Sequence, residues 1–371
     1  MDDEKEEIMA MIGITSQALL YVCFALLMGS FLTSLIPTTH KPEIHVPKGV
    51  VMMAIGGIGI FSFIPVLQLL LYLYEGFGFY QSLQSVLFTF EVGKAWIFTF
   101  VLSSLFFIFV VWFDYRKKAF YAYIGIVFTL ILVLAVGWSS HASSYDPVMG
   151  FFNHSAHFTA VSVWVGILIV VSWFSNNHDN WLNFLKWYSP VALVCVLSTI
   201  VTGLWLMSVS VEVKDYPDSW LLPYGQALLM KHILLIPIVV YAVINSVLIK
   251  GKVSKDGHFN PRPWTKAESI ILLLVFTATA TLGQQAPPHE TIVTSESVAS
   301  LFTLLYQGQF QPGMTVRLVG NATSLFFLVM AVLFLALIVI SFIKKTPAIV
   351  SFFMGVLLVV SVYLGLVFSI V

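Results

Sequence analysis

The chain has 371 residues, of which 59% are hydrophobic and only 10% are charged. A soluble domain carries about 25% charged residues, and a soluble fold this apolar would expose large hydrophobic patches. The composition therefore excludes an ordinary water-soluble protein and predicts one that is solvated by membrane lipid. The formal net charge is zero, which argues against nucleic acid as a partner.

Ten apolar runs are each long enough to cross a bilayer, which takes about 20 residues. The first run follows the acidic stretch "MDDEKEEIMAMI" and lacks a small-residue cleavage site, so we expect it to remain a membrane helix. The fold class predicted is all-α, a polytopic membrane bundle of about ten transmembrane helices (eight to ten). The predicted spans are about 9–36, 49–74, 93–114, 119–138, 155–175, 188–210, 226–249, 266–286, 323–343 and 347–370. Residues 75–92 and the stretch "SVASLFTLLYQGQF" are predicted interfacial helices.

Basic residues gather in every second connection between these spans. They occur between spans 1 and 2, 3 and 4, 5 and 6, 7 and 8, and 9 and 10, with Arg116, Lys117 and Lys118 as the densest group. Positive charge marks the cytoplasmic side of a membrane protein. Both termini are therefore predicted to lie outside.

Under this topology, five of the nine histidines fall on the outer side, namely His141, His154, His157, His232 and His289. The first four are predicted at similar depth, and His154 and His157 are three apart on one helix face, which Trp164 continues inward. Ionisable groups at this depth usually face the bundle interior or a wet cavity. Imidazole binds copper, zinc, iron and nickel, so the cluster is a candidate metal centre. The alternative is that each ring bonds a nearby backbone carbonyl at a helix end.

The stretch "HSAHFTAVSVWVGILIV" resembles the His-x-x-Ala-x-x-x-Trp-x-Gly pattern of the copper resistance protein D (CopD) membrane domain. His157, Ala160, Trp164 and Gly166 supply the pattern here. The resemblance continues, in order and spacing, over roughly residues 135–290. The further matching residues are Thr202, Gly203, Tyr224, Gly225, Lys231, Asn245, Glu268, Pro287 and Pro288.

We predict three segments: a CopD-like helix bundle over 1–290, an extracytoplasmic connection over 291–322 with a candidate interfacial helix, and two C-terminal transmembrane helices over 323–371. The last two segments fall outside the resemblance. The resemblance itself implies a copper-handling protein of the bacterial plasma membrane, most often a copper importer, and not an enzyme. Some relatives carry an external copper-binding β-domain before the first helix. Only about eight residues precede that helix here, so we expect no such domain and delivery of Cu⁺ or Cu²⁺ by an extracytoplasmic partner or from solution.

The copper site we expect combines His141, His154, His157 and His232 with the thioethers of Met149 and Met230. His289 and Glu290 lie just past the end of span 8 and are candidate outer-rim ligands. Soft sulfur ligands select Cu(I), so a translocation path is assigned to Cys23, Met28, Cys195 and Met207. The side chain of Lys231 is expected to extend to the membrane interface. Glu268 is expected to cap a helix end.

Two other functions stay open. His157 and His232 could ligate a b-type haem in a membrane oxidoreductase, because such a haem needs no CxxCH motif. The protein could also bind copper for assembly or sensing without transporting it. Clustering of several histidines at one membrane side favours a small-ion site over a haem.

Overall fold

The computed structural model describes residues 2–288, 294, 297–306, 308, 311 and 313–371. Helices make up 80% of the chain, and the described residues form no strand beyond two isolated bridges, so the all-α class is confirmed. Within these residues, ten helical stretches are long and apolar enough to cross a membrane, as predicted. The chain divides into two compact units, Met1–Val209 and Ser210–Val371. The division into segments 1–290, 291–322 and 323–371 stays a prediction.

The first unit contains nine α-helices. They are α1 (Asp2–Leu35), α2 (Lys48–Phe61), α3 (Ile64–Phe77), α4 (Phe79–Phe88), α5 (Glu91–Trp112), α6 (Ala119–Trp138), α7 (His141–Tyr145), α8 (Met149–Phe174) and α9 (Trp181–Ser210). Helices α2 and α3 form one span, interrupted where Pro65 begins the second part. Helix α4 falls within the predicted interfacial segment.

The second unit contains seven α-helices in its described part. They are α10 (Tyr216–Ser219), α11 (Pro223–Val243), α12 (Ile249–Lys255), α13 (Arg262–Gly283), α14 (Ser300–Leu305), α15 (Ala322–Ile343) and α16 (Ala348–Val367). A π-helical turn, Ile244–Leu248, joins α11 to α12 within one long span. Helix α16 packs on α11, α13 and α15. Helix α14 is the part of "SVASLFTLLYQGQF" that the structure describes as helical.

The close approach of α1 and α8 organises the first unit. A Cβ added to Gly29 would lie 2.1 Å from the Gly166 carbonyl oxygen, and one added to Gly166 would lie 2.2 Å from that of Ala25. Small residues let helix backbones approach this closely in membranes, where van der Waals packing drives association. Gly166 of the sequence motif is therefore a helix-crossing residue.

Backbone contacts between connections agree with the alternation of basic residues. The N–H of His45 donates to the Phe174 carbonyl (2.9 Å), and the indole N–H of Trp187 donates to the His40 carbonyl (2.8 Å). The connection between spans 1 and 2 thus lies beside that between spans 5 and 6, as an even number of crossings requires. Which membrane face is cytoplasmic, and hence the orientation of the termini, stays a prediction.

Candidate functional site

A local structure of hydroxyl and carboxylate groups fixes the start of α8, where the two histidines lie. The Ser140 and Ser143 hydroxyls both donate to the Gly137 carbonyl, at 2.8 and 2.6 Å. Asp146 Oδ1 accepts the N–H of Met149 (2.9 Å) and so satisfies one of the amides that a helix start leaves unpaired. Gly150 lies directly on α7, because a Cβ there would be 2.0 Å from the Ala142 carbonyl oxygen.

The imidazole of His157 is held by α9. Its Nδ1 lies 3.0 Å from Thr202 Oγ1, and Gly203 provides the space, since a Cβ there would meet the ring at 3.3 Å. The Thr202 hydroxyl donates to the Ser198 carbonyl at 2.7 Å. It has one proton, so toward His157 it acts as an acceptor. This arrangement assigns the imidazole proton to Nδ1, and in that tautomer Nε2 is the nitrogen that can coordinate a metal ion.

His154 faces a different neighbour from His157, although both belong to one face of α8. Its half-buried ring lies 6.4 Å, centroid to centroid, from that of Phe158. Phe158 packs edge-on against Tyr21 and Phe24 of α1 at 5.4 and 4.9 Å. The two imidazoles thus divide between the α1 side and the α9 side of the helix.

Trp164, two turns farther along α8, is buried and belongs to a second contact with α9. Its carbonyl accepts the Tyr188 hydroxyl at 3.2 Å. The pairs His157–Thr202 and Trp164–Tyr188 therefore join α8 and α9 by hydroxyl hydrogen bonds at two levels. The Trp164 motif residue contributes its backbone to this contact.

In the second unit, His232 of α11 pairs with a tyrosine that the sequence did not single out. Its Nδ1 lies 2.7 Å from the Tyr216 hydroxyl, and the rings meet edge to face with centroids 5.5 Å apart. Burial raises the pKa of Tyr216 to about 12. The phenol therefore stays protonated at neutral pH and remains a partner for the imidazole.

A family model described as copper resistance protein D matches residues 182–282. The resemblance to the CopD family is confirmed over these residues. Neither the comparison with curated proteins nor the comparison with solved structures gave a match. The described part of the chain has ten helices long and apolar enough to cross a membrane, and together with this similarity they make the chain a multi-pass membrane protein.

The CopD-like segment contains Thr202 and His232 but not the histidines of α8. It begins within α9 and ends within α13, so the resemblance predicted for α8 is not part of the matched range. Thr202 lies inside the matched range and forms a hydrogen bond with His157, which lies outside it.

The other predicted ligands lie in varied surroundings. His141 and Met149 are exposed near the start of α8, and Met230 is half-buried on α11. Among the residues that the structure describes, no group of three or more His, Cys, Asp or Glu side chains is arranged to hold a metal ion. His289 and Glu290 lie outside the described residues. The ligand set stays a prediction.

The predicted sulfur path starts in the apolar core of the first unit. Cys23 and Met28 are buried on α1, 8% and 1% exposed, and a Cβ on Gly57 would lie 2.9 Å from the Cys23 sulfur. Cys195 and Met207 are half-buried on α9. These surroundings are those of ordinary apolar core positions, and the path stays a prediction.

Proposed function

We propose that this membrane protein handles copper and imports it. The observation that carries the proposal is the similarity of residues 182–282 to copper resistance protein D. The proposed activity is binding and transfer of the ion, with no chemical conversion of a substrate. A separate extracytoplasmic copper-binding protein, or copper in solution, supplies the ion.

We propose His154 and His157 as the main ligands, with His141 and Met149 as further donors near the same end of α8. The Thr202 hydroxyl supports this role for His157, because a metal-binding histidine usually donates its other ring N–H to a fixed acceptor. Two imidazoles and a thioether suit copper better than hard cations, which prefer oxygen ligands. His232 and Met230 are proposed as ligands of the second unit.

Copper binding by the purified protein tests the site. Titration with Cu(I) against a colorimetric chelator, and separately with Cu(II), gives stoichiometry and affinity. We expect the variant with both His154→Ala and His157→Ala to lose bound copper, whereas His40→Ala, an exposed histidine of the same unit, keeps the full stoichiometry. Unchanged binding by a folded double variant would eliminate the α8 site. His232→Ala, measured by itself, tests the second unit.

Transport needs a separate measurement, because a protein can bind copper without moving it. Protein reconstituted in sealed vesicles should accumulate copper in the lumen, and the double histidine variant should abolish this uptake. Binding without uptake would reject the importer and favour an assembly or sensing role. A visible Soret band in the purified protein would instead favour the haem-binding alternative.

A further inference from the structure

A carboxyl group and an amide meet inside the membrane-spanning part of the second unit. Glu268 of α13 is 3% exposed and Asn245 of the π-helical turn is 5% exposed, and their side chains lie 2.5 Å apart. Glu268 follows the start of α13 at Arg262 by six residues, or about 9 Å at 1.5 Å per residue. The expectation that Glu268 caps a helix end is therefore wrong.

No positive charge compensates Glu268 within the described part of the second unit. Its hydrogen bond is to Asn245, and it takes part in no ion pair there. The titratable group that acts on it electrostatically is the Tyr241 phenol of α11, whose hydroxyl donates to Ser351 of α16 at 2.8 Å. A carboxylate without a cation is costly in apolar surroundings, and such a group becomes neutral instead. Ionisable residues within membrane spans usually have a functional role.

The hydrogen bonds of the Asn245 amide identify the atoms that meet. Asn245 Nδ2 donates to Glu268 Oε2 at 2.5 Å and lies 3.5 Å from the Trp264 carbonyl oxygen, so the amide nitrogen faces two acceptors. Amide oxygen and nitrogen are assigned from their hydrogen bonds. Asn245 Oδ1 is buried without a hydrogen-bond partner among the described residues. The carbonyl oxygen of a neutral acid and the oxygen of a carboxylate both accept an amide N–H, so this contact suits both protonation states of Glu268.

We propose that Glu268 and Asn245 form a proton-binding site within the membrane. At neutral pH Glu268 is a neutral acid whose carbonyl oxygen accepts the Asn245 amide N–H. On release, the carboxyl O–H bond breaks, the proton passes to water, and the carboxylate keeps the electron pair. The Asn245 N–H then donates to the carboxylate, so one asparagine serves both protonation states.

The π-helical turn supports a functional role for this pair. Such turns insert an extra residue into a helix and are frequently found at functional sites. Asn245 is the second residue of the turn, and its side chain also lies 3.5 Å from the Trp264 carbonyl of α13. The turn therefore places the amide between α11 and α13. No histidine takes part, so failure of the copper proposal leaves this site unaffected.

Carbodiimide labelling of the full-length protein in membranes tests the proposal. Dicyclohexylcarbodiimide reacts with a neutral carboxylic acid: the acid oxygen bonds to the central carbon, the proton passes to a nitrogen, and no group leaves. Peptide mass spectrometry of the wild type should locate the adduct at Glu268 at neutral pH, with labelling falling at least tenfold as the pH is raised. Glu212, an exposed partner of Lys214, is the internal control and should stay unlabelled.

Infrared spectroscopy gives a second measurement that does not depend on reagent access. Protein with ¹³C-labelled glutamate should show a protonated-carboxyl band at neutral pH that Glu268→Gln removes and Glu212→Gln leaves unchanged. Asn245→Ala should shift the frequency of this band, because the carbonyl of the acid loses its hydrogen-bond donor. An unlabelled Glu268 together with a missing band at neutral pH would overturn the proposal. Labelling that appears only below about pH 5, near the ordinary titration of glutamate, would overturn it as well.

Discussion

The bond between Thr202 and His157 is the contact whose loss should be most informative. Thr202→Val keeps the shape of the side chain but removes the hydroxyl, which leaves the imidazole Nδ1–H without that acceptor. Thr202 is 8% exposed and the bond measures 3.0 Å. Removing one partner of a buried hydrogen bond costs about 1–3 kcal/mol. Because His157 is half-buried, we expect about 1–2 kcal/mol.

Thermal unfolding in detergent measures this cost. For a unit of 209 residues, each kcal/mol corresponds to a shift in Tm of about 2–4 °C, so Thr202→Val should unfold about 2–8 °C lower than the wild type. Thr202→Ser keeps the hydroxyl and should stay closer to the wild type. If copper binds at His157, its affinity should fall about 10–100-fold in Thr202→Val, the usual effect of losing a supporting hydrogen bond. Equal Tm values for the wild type and Thr202→Val would refute the reasoning.

Two further substitutions test contacts near the candidate ligands. Gly166→Ala places a methyl group 2.2 Å from the Ala25 carbonyl oxygen, so α1 and α8 must separate, and we expect about 1–3 kcal/mol of destabilisation. Gly56→Ala is the matched control, because a Cβ added there would meet no neighbouring group within 4 Å. It should be neutral or stabilising in the same thermal assay. Equal losses of stability in the two variants would contradict the helix-crossing role of Gly166. Tyr216→Phe removes the hydroxyl that meets His232 and should cost about 1–3 kcal/mol in urea unfolding. An unfolding midpoint equal to that of the wild type would argue that the His232 contact has no special weight.

The number of spans could be predicted from the sequence because a bilayer imposes a minimum apolar length on every helix. Ten runs met that length, and the structure has ten such helices. The alternation of basic residues between successive connections predicted the same number of spans independently. Hydrogen bonds between connections on the same side, such as that from His45 to Phe174, agree with this alternation, although they were not used to predict it.

The rotation of each helix about its axis could not be predicted in the same way. Helix α8 is apolar on nearly all sides, so periodicity does not identify the face that meets a neighbour. His154 and His157 share a face by spacing, but contacts with Phe158 and Thr202 direct their rings to different partners. A pair of residues three apart fixes a shared stripe of helix surface, whereas side-chain torsions and neighbouring helices decide where each ring ends.

Polar partners far apart in sequence were the hardest to predict. Asn245 and Glu268 are separated by 23 residues, and their contact depends on a π-helical turn for which the sequence offered no signal. Tyr216 precedes His232 by 16 residues and lies in a four-residue helix outside the spans. Lipid cannot form hydrogen bonds with a polar side chain inside a span. Each polar residue of a span therefore predicts a hydroxyl or amide partner on a neighbouring helix, and a search of the sequence for such partners could have suggested these pairs.

The boundary of the CopD-like segment bears on how the copper proposal should be judged. The matched range begins in α9 and omits α8, so the similarity by itself does not argue for His154 or His157 as ligands. Their case depends on the chemistry of α8 and on Thr202, the matched residue that holds His157. A copper-binding defect in both Thr202→Val and His157→Ala would connect the two lines of reasoning through one hydrogen bond. If instead only substitutions within 182–282 changed copper binding, the histidines of α8 would be residues of helix packing, and His232 would become the leading candidate ligand.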